Sequence, residues 1–301
     1  MVAHSVLFDL AKYRFADVFA PGKPVWDVIG KINSHAKRLV AAFSVARKPR
    51  GVRSKGSSAG MPFGAGWHSL AGVARKGCLV ARTTVLHAGK TLTGGFKLEP
   101  GDVTKGKFRV LVHGKVADGA VVVFGGAVLF DGGIVIGPGT VIEPGALIKG
   151  PTVIGERTEV RQGAYVRGGC IFGDRCVVGH ATEVKDSVFL DDAKAGHFAY
   201  VGDSVLGNGV NLGAGTKLAN LKIIDAPVRL HIDGGLHDTG LRKFGAILGD
   251  GCELGCNSVT SPGTVLGKGS LVYPCVNVPS GVYGEKTVVN YAHDALRVRG
   301  R

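Results

Sequence analysis

The feature that most constrains this chain is an apolar side chain at every sixth position from residue 136 onward. The first series runs without a gap through ten positions: Ile136, Ile142, Ile148, Ile154, Val160, Val166, Phe172, Val178, Val184 and Leu190. An α-helix repeats every 3.6 residues and a half-buried strand every two, so neither element explains this period. Six residues fit a short strand followed by a tight turn, and three such units close a triangular coil.

The positions between the apolar residues support the same interpretation. A small residue stands four positions after most of them, as at Thr140, Ala146, Thr152, Thr158, Ala164, Cys170, Cys176 and Thr182. Glycine, which tolerates the positive φ of tight turns, makes up 49 of the 301 residues and lacks the G-X-Y period of collagen. The frame is predicted to slip near Gly196, and it returns at Leu206, Leu212, Leu218, Leu248, Leu254, Thr260, Leu266, Val272 and Val278.

We therefore predict an all-β fold, a parallel β-helix of hexapeptide repeats. The apolar residue of each hexad points inward, and successive turns stack through parallel hydrogen bonds about 4.8 Å apart. The expected segments are a small strand/helix module at 1–47, a basic Gly/Ser-rich linker or insertion at 48–118, the β-helical domain at 119–290 and a basic tail at 291–301.

Within these segments four local elements are predicted. A short strand is expected at 5–10, and a helix is expected from Val25, directly after Pro24. Residues 107–112 are predicted as one strand of the linker or insertion. A flap is expected to leave the coil at 221–247, because apolar residues alternate there before an Asp-Gly-Gly turn.

The net charge of +14 belongs to one part of the chain. Residues 37–115 contain 16 Lys and Arg against two acids, Glu99 and Asp102, and bases and acids balance in the remainder. A polyanion-binding arm is one interpretation of this segment, and a solvated insertion is the other. Aromatic residues for stacking on bases are not interleaved with the charges, so nucleic acid is not an expected partner.

The cysteines and the hydropathy pattern bear on the compartment. The six cysteines show no C-x-x-C pair and no compact disulfide framework. No signal peptide is recognised, and no run of about 18 apolar residues exists to cross a membrane. We expect a cytoplasmic protein with reduced thiols and without a membrane partner. Cys170 and Cys176 are expected to be structural residues at small-residue corners.

The hexad register fails in one stretch that is rich in polar groups. Residues 194–203 read Lys-Ala-Gly-His-Phe-Ala-Tyr-Val-Gly-Asp, and residues 206–216 contain Asn-Leu-Gly-Ala-Gly-Thr. A histidine and a tyrosine stand where turn residues are expected. Local departures from an otherwise consistent pattern are typical of functional sites.

This stretch resembles the acetyltransferase half of the bacterial bifunctional N-acetylglucosamine-1-phosphate uridyltransferase/glucosamine-1-phosphate acetyltransferase family. It is also similar to archaeal sugar-1-phosphate nucleotidylyltransferase/acetyltransferases, whose Arg-Lys-x-Gly-x-Ile-x-Gly-Asp motif is matched at 242–250. The resemblance covers roughly residues 119–290. It implies a left-handed coil, although the general crossover rule favours right-handed connections. It also implies acetyl-CoA as co-substrate, no metal for acetyl transfer, and a homotrimer with active sites between neighbouring coils.

The resemblance also implies roles for individual residues. It makes His197 the catalytic base, and it places Tyr200 and Asn211 around the amino sugar. It assigns Arg167, Lys185 and Lys243 to the sugar phosphate. On the acetyl-CoA side it places Ala214, Asn220, Cys256 and Pro274, where Cys256 replaces a serine of the bacterial enzymes and Pro274 a small residue.

The residue types suit that chemistry independently of the family. An imidazole changes charge near neutral pH and can take the proton of an attacking amine. Backbone N–H groups of the Gly-Ala-Gly turn at 213–215 are candidate donors to the oxyanion. Arg167 and Lys185 are 18 residues apart, so three hexads place one above the other as anchors for a phosphate.

The sequence thus predicts an acyltransferase, an acetyl-CoA-dependent N-acetyltransferase of an amino-sugar 1-phosphate, with glucosamine 1-phosphate as the first candidate in UDP-N-acetylglucosamine biosynthesis. The nucleotidyltransferase half is expected to be missing, because the Gly-rich stretch 58–64 lacks a phosphate-loop pattern. A non-catalytic scaffold and an acyltransferase for another (nucleotide-)amino sugar remain alternatives. A zinc lyase is disfavoured, because His180, His197, His231 and His237 lack the spacing of a metal site.

Overall fold

A computed structural model describes residues 2–46, 62–71, 73, 78–130, 133–232 and 234–291. Within these ranges, short parallel strands stack into three sheets that form the three sides of a prism. We call the sheets face 1, face 2 and face 3, in the order in which the chain enters them in each turn. Eight complete turns and the first strand of a ninth lie in the described residues.

The strands of the three faces have the following bounds. Face 1 consists of Val121–Val123, Val141–Ile142, Glu159–Val160, Val177–His180, Lys194–His197, Asn211–Leu212, Glu253–Leu254, Leu271–Val272 and Val288–Val289. Face 2 consists of Val128–Phe130, Leu147–Lys149, Tyr165–Val166, Glu183–Lys185, Tyr200–Gly202, Lys217–Leu218, Val259–Thr260 and Asn277–Val278. Face 3 consists of Ile134–Ile136, Thr152–Ile154, Cys170–Phe172, Val188–Phe189, Val205–Leu206, Ala246–Leu248, Thr264–Leu266 and Gly281–Tyr283.

The interior of the prism is built from the hexad residues, as predicted. Ile142, Val160 and Val178 occupy equivalent positions in successive face 1 strands and are fully buried. Small residues such as Ala146 and Ala164 fill the corners between them. The predicted all-β coil with inward hexads is therefore confirmed, and the hand of the coil stays a prediction of the resemblance.

One member of the first series was wrongly predicted to point inward. Phe189 occupies the interior beside Phe172, whereas Leu190 packs outside the coil against the N-terminal module. The turn between faces 2 and 3 is one residue shorter here, because Asp186 adopts a left-handed φ of 42° and tightens the corner. The register shortens by one residue between Val184 and Phe189 and by another between Val201 and Leu206, where Asp203 has a φ of 49°. The sequence predicted a single slip near Gly196, which lies between these two corners.

Antiparallel strands close the first turn of the coil. His68–Ser69 pairs with face 3, and Thr84–His87 pairs with face 1 and with Lys90–Leu92. A separate sheet is formed by Phe96–Glu99, Arg109–Val112 and Lys115–Val116, which confirms the strand predicted within 107–112. Part of the predicted linker or insertion is therefore strand structure. His68–Ser69 and Thr84–His87 within it cover edges of the coil, and edges left exposed are prone to pair with other chains.

The N-terminal module is helical. Its elements are the α-helices His4–Leu7 and Ile32–Ala46 and the 3₁₀ helices Ala16–Val18 and Val25–Lys31. The strand predicted at 5–10 is wrong, because a short apolar run does not by itself distinguish a strand from a helix. The helical stretch predicted after Pro24 is confirmed, with its first two turns in 3₁₀ geometry.

The module and the flap together cover the outer surface of face 3. The outward residues of this face are Val135, Val153, Ile171, Val188, Val205, Ile247 and Val265, and all are buried. Trp26, Ile29 and Ile32 pack on them from the module. The flap contains the predicted hairpin, Arg229–Ile232 with Gly235–Asp238, and its Leu230 is fully buried in the same cluster.

Some predictions fall outside the described residues. These are residues 48–61, 72 and 74–77 of the predicted linker or insertion, the turn residue Asp233, and residues 292–301 of the basic tail. Among the helices in the described ranges, none is long and apolar enough to cross a membrane.

The interior should tolerate truncation poorly. Phe172 and Phe189 are fully buried and contact edge to face, with ring centroids 5.1 Å apart. We expect Phe172→Ala to lower the free energy of unfolding by about 3–5 kcal/mol, because it leaves a cavity in a closely packed interior. Phe130→Ala, on a ring that is 47% exposed, should cost less than about 1 kcal/mol. Urea denaturation followed by circular dichroism measures both changes, and equal losses would contradict this packing.

Candidate active site

One edge of the prism, between faces 1 and 2, brings several of the predicted site residues into a single column. The column consists of Gln162, His180, His197, Ala214, Cys256 and Pro274, and we call it the His197 edge. Backbone hydrogen bonds define it, since the residue after each member donates to the carbonyl of the member one turn earlier. Gly215 N–H, for example, donates to the His197 carbonyl at 2.9 Å. The predicted catalytic base and three of the four predicted coenzyme residues therefore lie along one line.

His197 is presented to solvent at this edge. It ends the strand Lys194–His197, and the following Phe198 has a left-handed φ of 53° that turns the chain into face 2. Phe198 is 55% exposed, and the ring of His180 packs edge to face on it with centroids 5.4 Å apart. The corner is tight, since a Cβ on Gly179 would meet the Gly196 carbonyl oxygen. This tight turn keeps the imidazole of His197 outside the coil, where a substrate can reach it.

The backbone of the Gly-Ala-Gly turn offers one free donor, not three. Gly213 N–H donates to the Leu254 carbonyl at 2.7 Å, and Gly215 N–H is engaged with His197. The N–H of Ala214 has no acceptor among the residues that the structure describes. The predicted oxyanion donors are thereby reduced to Ala214, because the ladder that stacks the turns uses the other two.

On the neighbouring face 2, polar side chains form what we call the Lys185 cluster: Lys185, Asp203, Asn220 and Tyr200. The Lys185 ammonium donates to Asp203 at 2.8 Å, and Asn220 Nδ2 donates to the same carboxylate. Tyr200 Oη donates to Asn220 Oδ1 at 3.4 Å. Asn220, which the resemblance places with the coenzyme, therefore lies among the residues expected to hold the sugar.

Burial and neighbouring charges determine the protonation of this cluster. Burial lowers the pKa of Lys185, but the hydrogen bonds and charges of Asp203 and Asp186 outweigh burial and leave the pKa raised. Burial raises the pKa of Tyr200 above that of a free phenol. Lys185 is therefore a cation and Tyr200 a neutral donor near pH 7.

Arg167 and Lys185 stack as their spacing predicted. Val166 pairs with Val184, so the residues that follow them occupy equivalent positions in adjacent turns. Arg167 is exposed and donates to Glu183 at 2.7 Å, and this hydrogen bond raises the pKa of the guanidinium. Arg167 and Lys185, two of the three predicted phosphate ligands, are thus paired with carboxylates, and an incoming phosphate has to compete with these carboxylates.

The remaining predicted residues lie at the margin of this arrangement. Asn211 lies on face 1, where it pairs with Lys194 of the preceding turn. Lys243 is exposed and bridges to Leu221 where the flap rejoins the coil, next to the backbone of Asn220. Lys217, which the sequence analysis missed, lies below Tyr200 and donates to the Gly215 carbonyl. Its only sequence signal is its position directly after the Gly-Ala-Gly-Thr motif.

The histidines considered for zinc are divided between two places. His180 and His197 are neighbours on the His197 edge, and His231 and His237 lie on the two strands of the flap hairpin. In the described ranges, no three His, Cys, Asp or Glu side chains are grouped to hold a metal ion.

The three-faced coil and its hexad register define a hexapeptide-repeat β-helix. The model of the GMPPB C-terminal domain family matches residues 148–234, which include the His197 edge as far as Ala214. A bifunctional sugar-1-phosphate nucleotidylyltransferase/acetyltransferase of Sulfurisphaera tokodaii is 39% identical over 109 residues, which cover 36% of this chain and 27% of that protein. The resemblance predicted from the residues at 194–216 and 242–250 is thereby confirmed.

Two further relatives support the same grouping. The bifunctional protein GlmU of Methanococcus vannielii is 36% identical over 124 residues, 41% of this chain and 29% of its own. An uncharacterized acetyltransferase of Escherichia coli, YaiX, is 34% identical over 110 residues, 35% of this chain and 48% of its own. The chain thus spans between about a quarter and a half of the length of these relatives. Their names support acyltransferase as the enzyme class expected from the sequence.

Asp203 should be essential to the stability of the Lys185 cluster. Lys185 and Asp203 are both buried, so Asp203→Ala leaves a cation in the protein with only Asp186, at 3.1 Å, to compensate it. We expect a loss of about 3 kcal/mol in the free energy of unfolding. The matched control is Asp225→Ala, which breaks the exposed pair with Arg242 and should cost less than about 1 kcal/mol. Urea denaturation distinguishes the two, and an equally small loss for both would contradict a buried ion pair.

Proposed function

We propose that this protein is an acetyl-CoA-dependent N-acetyltransferase of an amino-sugar 1-phosphate, with glucosamine 1-phosphate as the acceptor to test first. The observation that carries the proposal is the His197 edge, which aligns an exposed imidazole with Ala214, Cys256 and Pro274. Cationic groups lie on the adjoining face 2, on the side of the edge away from face 1. A base between a coenzyme track and an anion site is what acetyl transfer to a phosphorylated amine requires.

In the proposed reaction His197 removes a proton from the amine. The amine nitrogen attacks the thioester carbonyl, and the carbonyl oxygen becomes an oxyanion that accepts a hydrogen bond from Ala214 N–H. Collapse of this intermediate breaks the carbon–sulfur bond. The departing CoA thiolate takes up a proton, for which the imidazolium of His197 is the nearest proposed donor. Amide and free CoA are the products, and His197 is again neutral.

The coenzyme is proposed to extend along the His197 edge away from His197. In the described residues, the N–H groups of Ala214 and Cys256 are both without a backbone or side-chain acceptor, and they occur in successive turns. Turns are about 4.8 Å apart, so these donors can pair with carbonyl oxygens along an extended pantetheine chain. Pro274 has no N–H, and the row of donors ends there.

The phosphate of the acceptor is proposed to bind at face 2. Arg167 and Lys243 are exposed, and the buried Lys185 stacks on Arg167 in the next turn. A phosphate can displace Glu183 from Arg167, because a dianion forms stronger bidentate hydrogen bonds with a guanidinium than one carboxylate oxygen does. Asn220 then contacts the sugar, since it bridges Tyr200 and Asp203 within the cluster.

Assembly and location complete the proposal. We propose a cytoplasmic homotrimer in which the His197 edge of one coil faces a neighbouring coil. The support for the trimer is that, among the described residues, face 3 is covered by the N-terminal module and the flap. The first strands of face 1 are covered by the small three-stranded sheet, and in the same part of the chain the rest of faces 1 and 2 carries no such layer.

The first test is the contribution of His197. We expect His197→Ala to reduce acetyl transfer to glucosamine 1-phosphate by about 100- to 10,000-fold, because the amine loses its general base. The matched control is His180→Ala, which removes the imidazole one turn away and should change the rate only a few-fold. Chromatographic quantification of CoA and N-acetylated product measures both rates.

The same assay can overturn the proposal. If the unaltered protein releases no CoA with any amino-sugar phosphate, the coil is a scaffold and not an enzyme. If His180→Ala and His197→Ala reduce the rate equally, His197 has no specific role. Transfer to a nucleotide-linked amino sugar, with none to the 1-phosphate, would assign a different acceptor.

A second test concerns the phosphate. Arg167→Met should raise the KM for glucosamine 1-phosphate about 10- to 100-fold with little change in kcat, because a charge-assisted hydrogen bond to the phosphate is lost. Arg229→Met, which removes an exposed guanidinium from the flap hairpin, serves as the control and should leave KM unchanged. An equal rise in KM for unphosphorylated glucosamine would show that Arg167 does not recognise the phosphate.

A further inference from the structure

The six cysteines fall into two environments. Cys170, Cys176 and Cys252 are fully buried inside the coil, where burial raises the pKa of Cys170 to about 12 and that of Cys252 to about 11. Cys256 and Cys275 are exposed free thiols, and Cys78 is half-buried near the first turn. The thiolate is the reactive form of cysteine, so the interior thiols are inert and the exposed ones are open to reagents.

Cys256 and Cys275 are neighbours across two stacked turns. Cys256 is a member of the His197 edge, and Cys275 N–H donates to the Cys256 carbonyl at 2.8 Å. Turns lie about 4.8 Å apart and consecutive Cα atoms about 3.8 Å, so the two Cα atoms are about 6 Å apart on the diagonal. Disulfides form between Cα atoms about 4.4–6.8 Å apart.

We propose that Cys256 and Cys275 form a thiol pair that small-molecule disulfides oxidise to an intramolecular disulfide. Three observations carry this inference: both thiols are exposed, the backbone hydrogen bond fixes their turns relative to each other, and the other thiols of the coil are enclosed. Thiols fixed at this separation exchange within one molecule, which is faster than exchange between molecules.

The oxidant is a small-molecule disulfide such as glutathione disulfide, which reacts with the two cysteines by thiol–disulfide exchange. One cysteine, as its thiolate, attacks a sulfur of glutathione disulfide, which forms a mixed disulfide and releases one glutathione thiolate. The second cysteine then attacks the protein sulfur of the mixed disulfide and releases a second glutathione. Two cysteine thiols are oxidised to one disulfide, one glutathione disulfide is reduced to two thiols, and the two protons move to the glutathione thiolates.

Oxidation of the thiol pair is expected to affect coenzyme binding, an expectation that rests on the proposed function. Cys256 N–H is one of the two donors proposed for the pantetheine chain, and the residue is exposed on the His197 edge. A disulfide from Cys256 to Cys275 draws the side chain toward the next turn and alters the surface on which the coenzyme lies. Oxidation is therefore expected to weaken CoA binding about tenfold, reversibly.

The experiment maps the oxidised thiols in the full chain. The reduced protein is treated with glutathione disulfide, remaining thiols are alkylated, and the digest is analysed by mass spectrometry. We expect a peptide linked through Cys256 and Cys275 in the unaltered protein and in the control Cys78→Ser. In Cys256→Ser and in Cys275→Ser we expect a stable glutathione adduct on the remaining cysteine. Calorimetry with CoA, before and after a reductant, measures the effect on the coenzyme.

The outcomes separate this inference from the proposed function. Stable glutathione adducts on both cysteines of the unaltered protein, a link to Cys78, or links only between molecules on a non-reducing gel would overturn the thiol pair. A mapped Cys256–Cys275 disulfide with unchanged CoA affinity would overturn the coenzyme track and support the pair. An absence of acetyl transfer in the first assay does not alter the mapping result.

Discussion

The backbone ladder between stacked turns is the interaction on which the rest of this structure depends. Each face repeats the same register, so a side chain at one position of a turn lies above its equivalent in the next. A one-residue shift would exchange inward for outward side chains throughout a face. Because the register is held, residues far apart in sequence form straight columns. The His197 edge is one such column, and the functional proposals follow from its alignment.

The hexad period predicted the coil, its interior and the stacking of Arg167 on Lys185, because a period of six leaves few alternatives. It could not choose between Phe189 and Leu190, since both are apolar and the shortened corner depends on the backbone of Asp186. The helix His4–Leu7 and the strands over the first turn were missed or left undefined for a different reason. The conformation of a short segment depends on the surface against which it packs. The residue pattern within the segment does not reveal that surface, so it does not predict the conformation. The outward apolar residues of face 3, such as Val153, were the available signal.

The sequence motifs identified the residues of the candidate site but did not predict their contacts. Ala214 proved to be the free donor only when the hydrogen bonds of Gly213 and Gly215 were seen. Asn220 joined the Lys185 cluster because the flap leaves the coil just after it. The carboxylates of Glu183 and Asp203 hold the cations in position, which preorganises them and also makes a phosphate compete for them.

The most direct measurement of the central claim is a crystal structure of the protein with CoA and glucosamine 1-phosphate bound. The account predicts the CoA sulfur beside the imidazole of His197, the pantetheine chain along Ala214 and Cys256, and the phosphate against Arg167. A coenzyme bound at either of the other two edges of the prism, with the His197 edge empty, would contradict it.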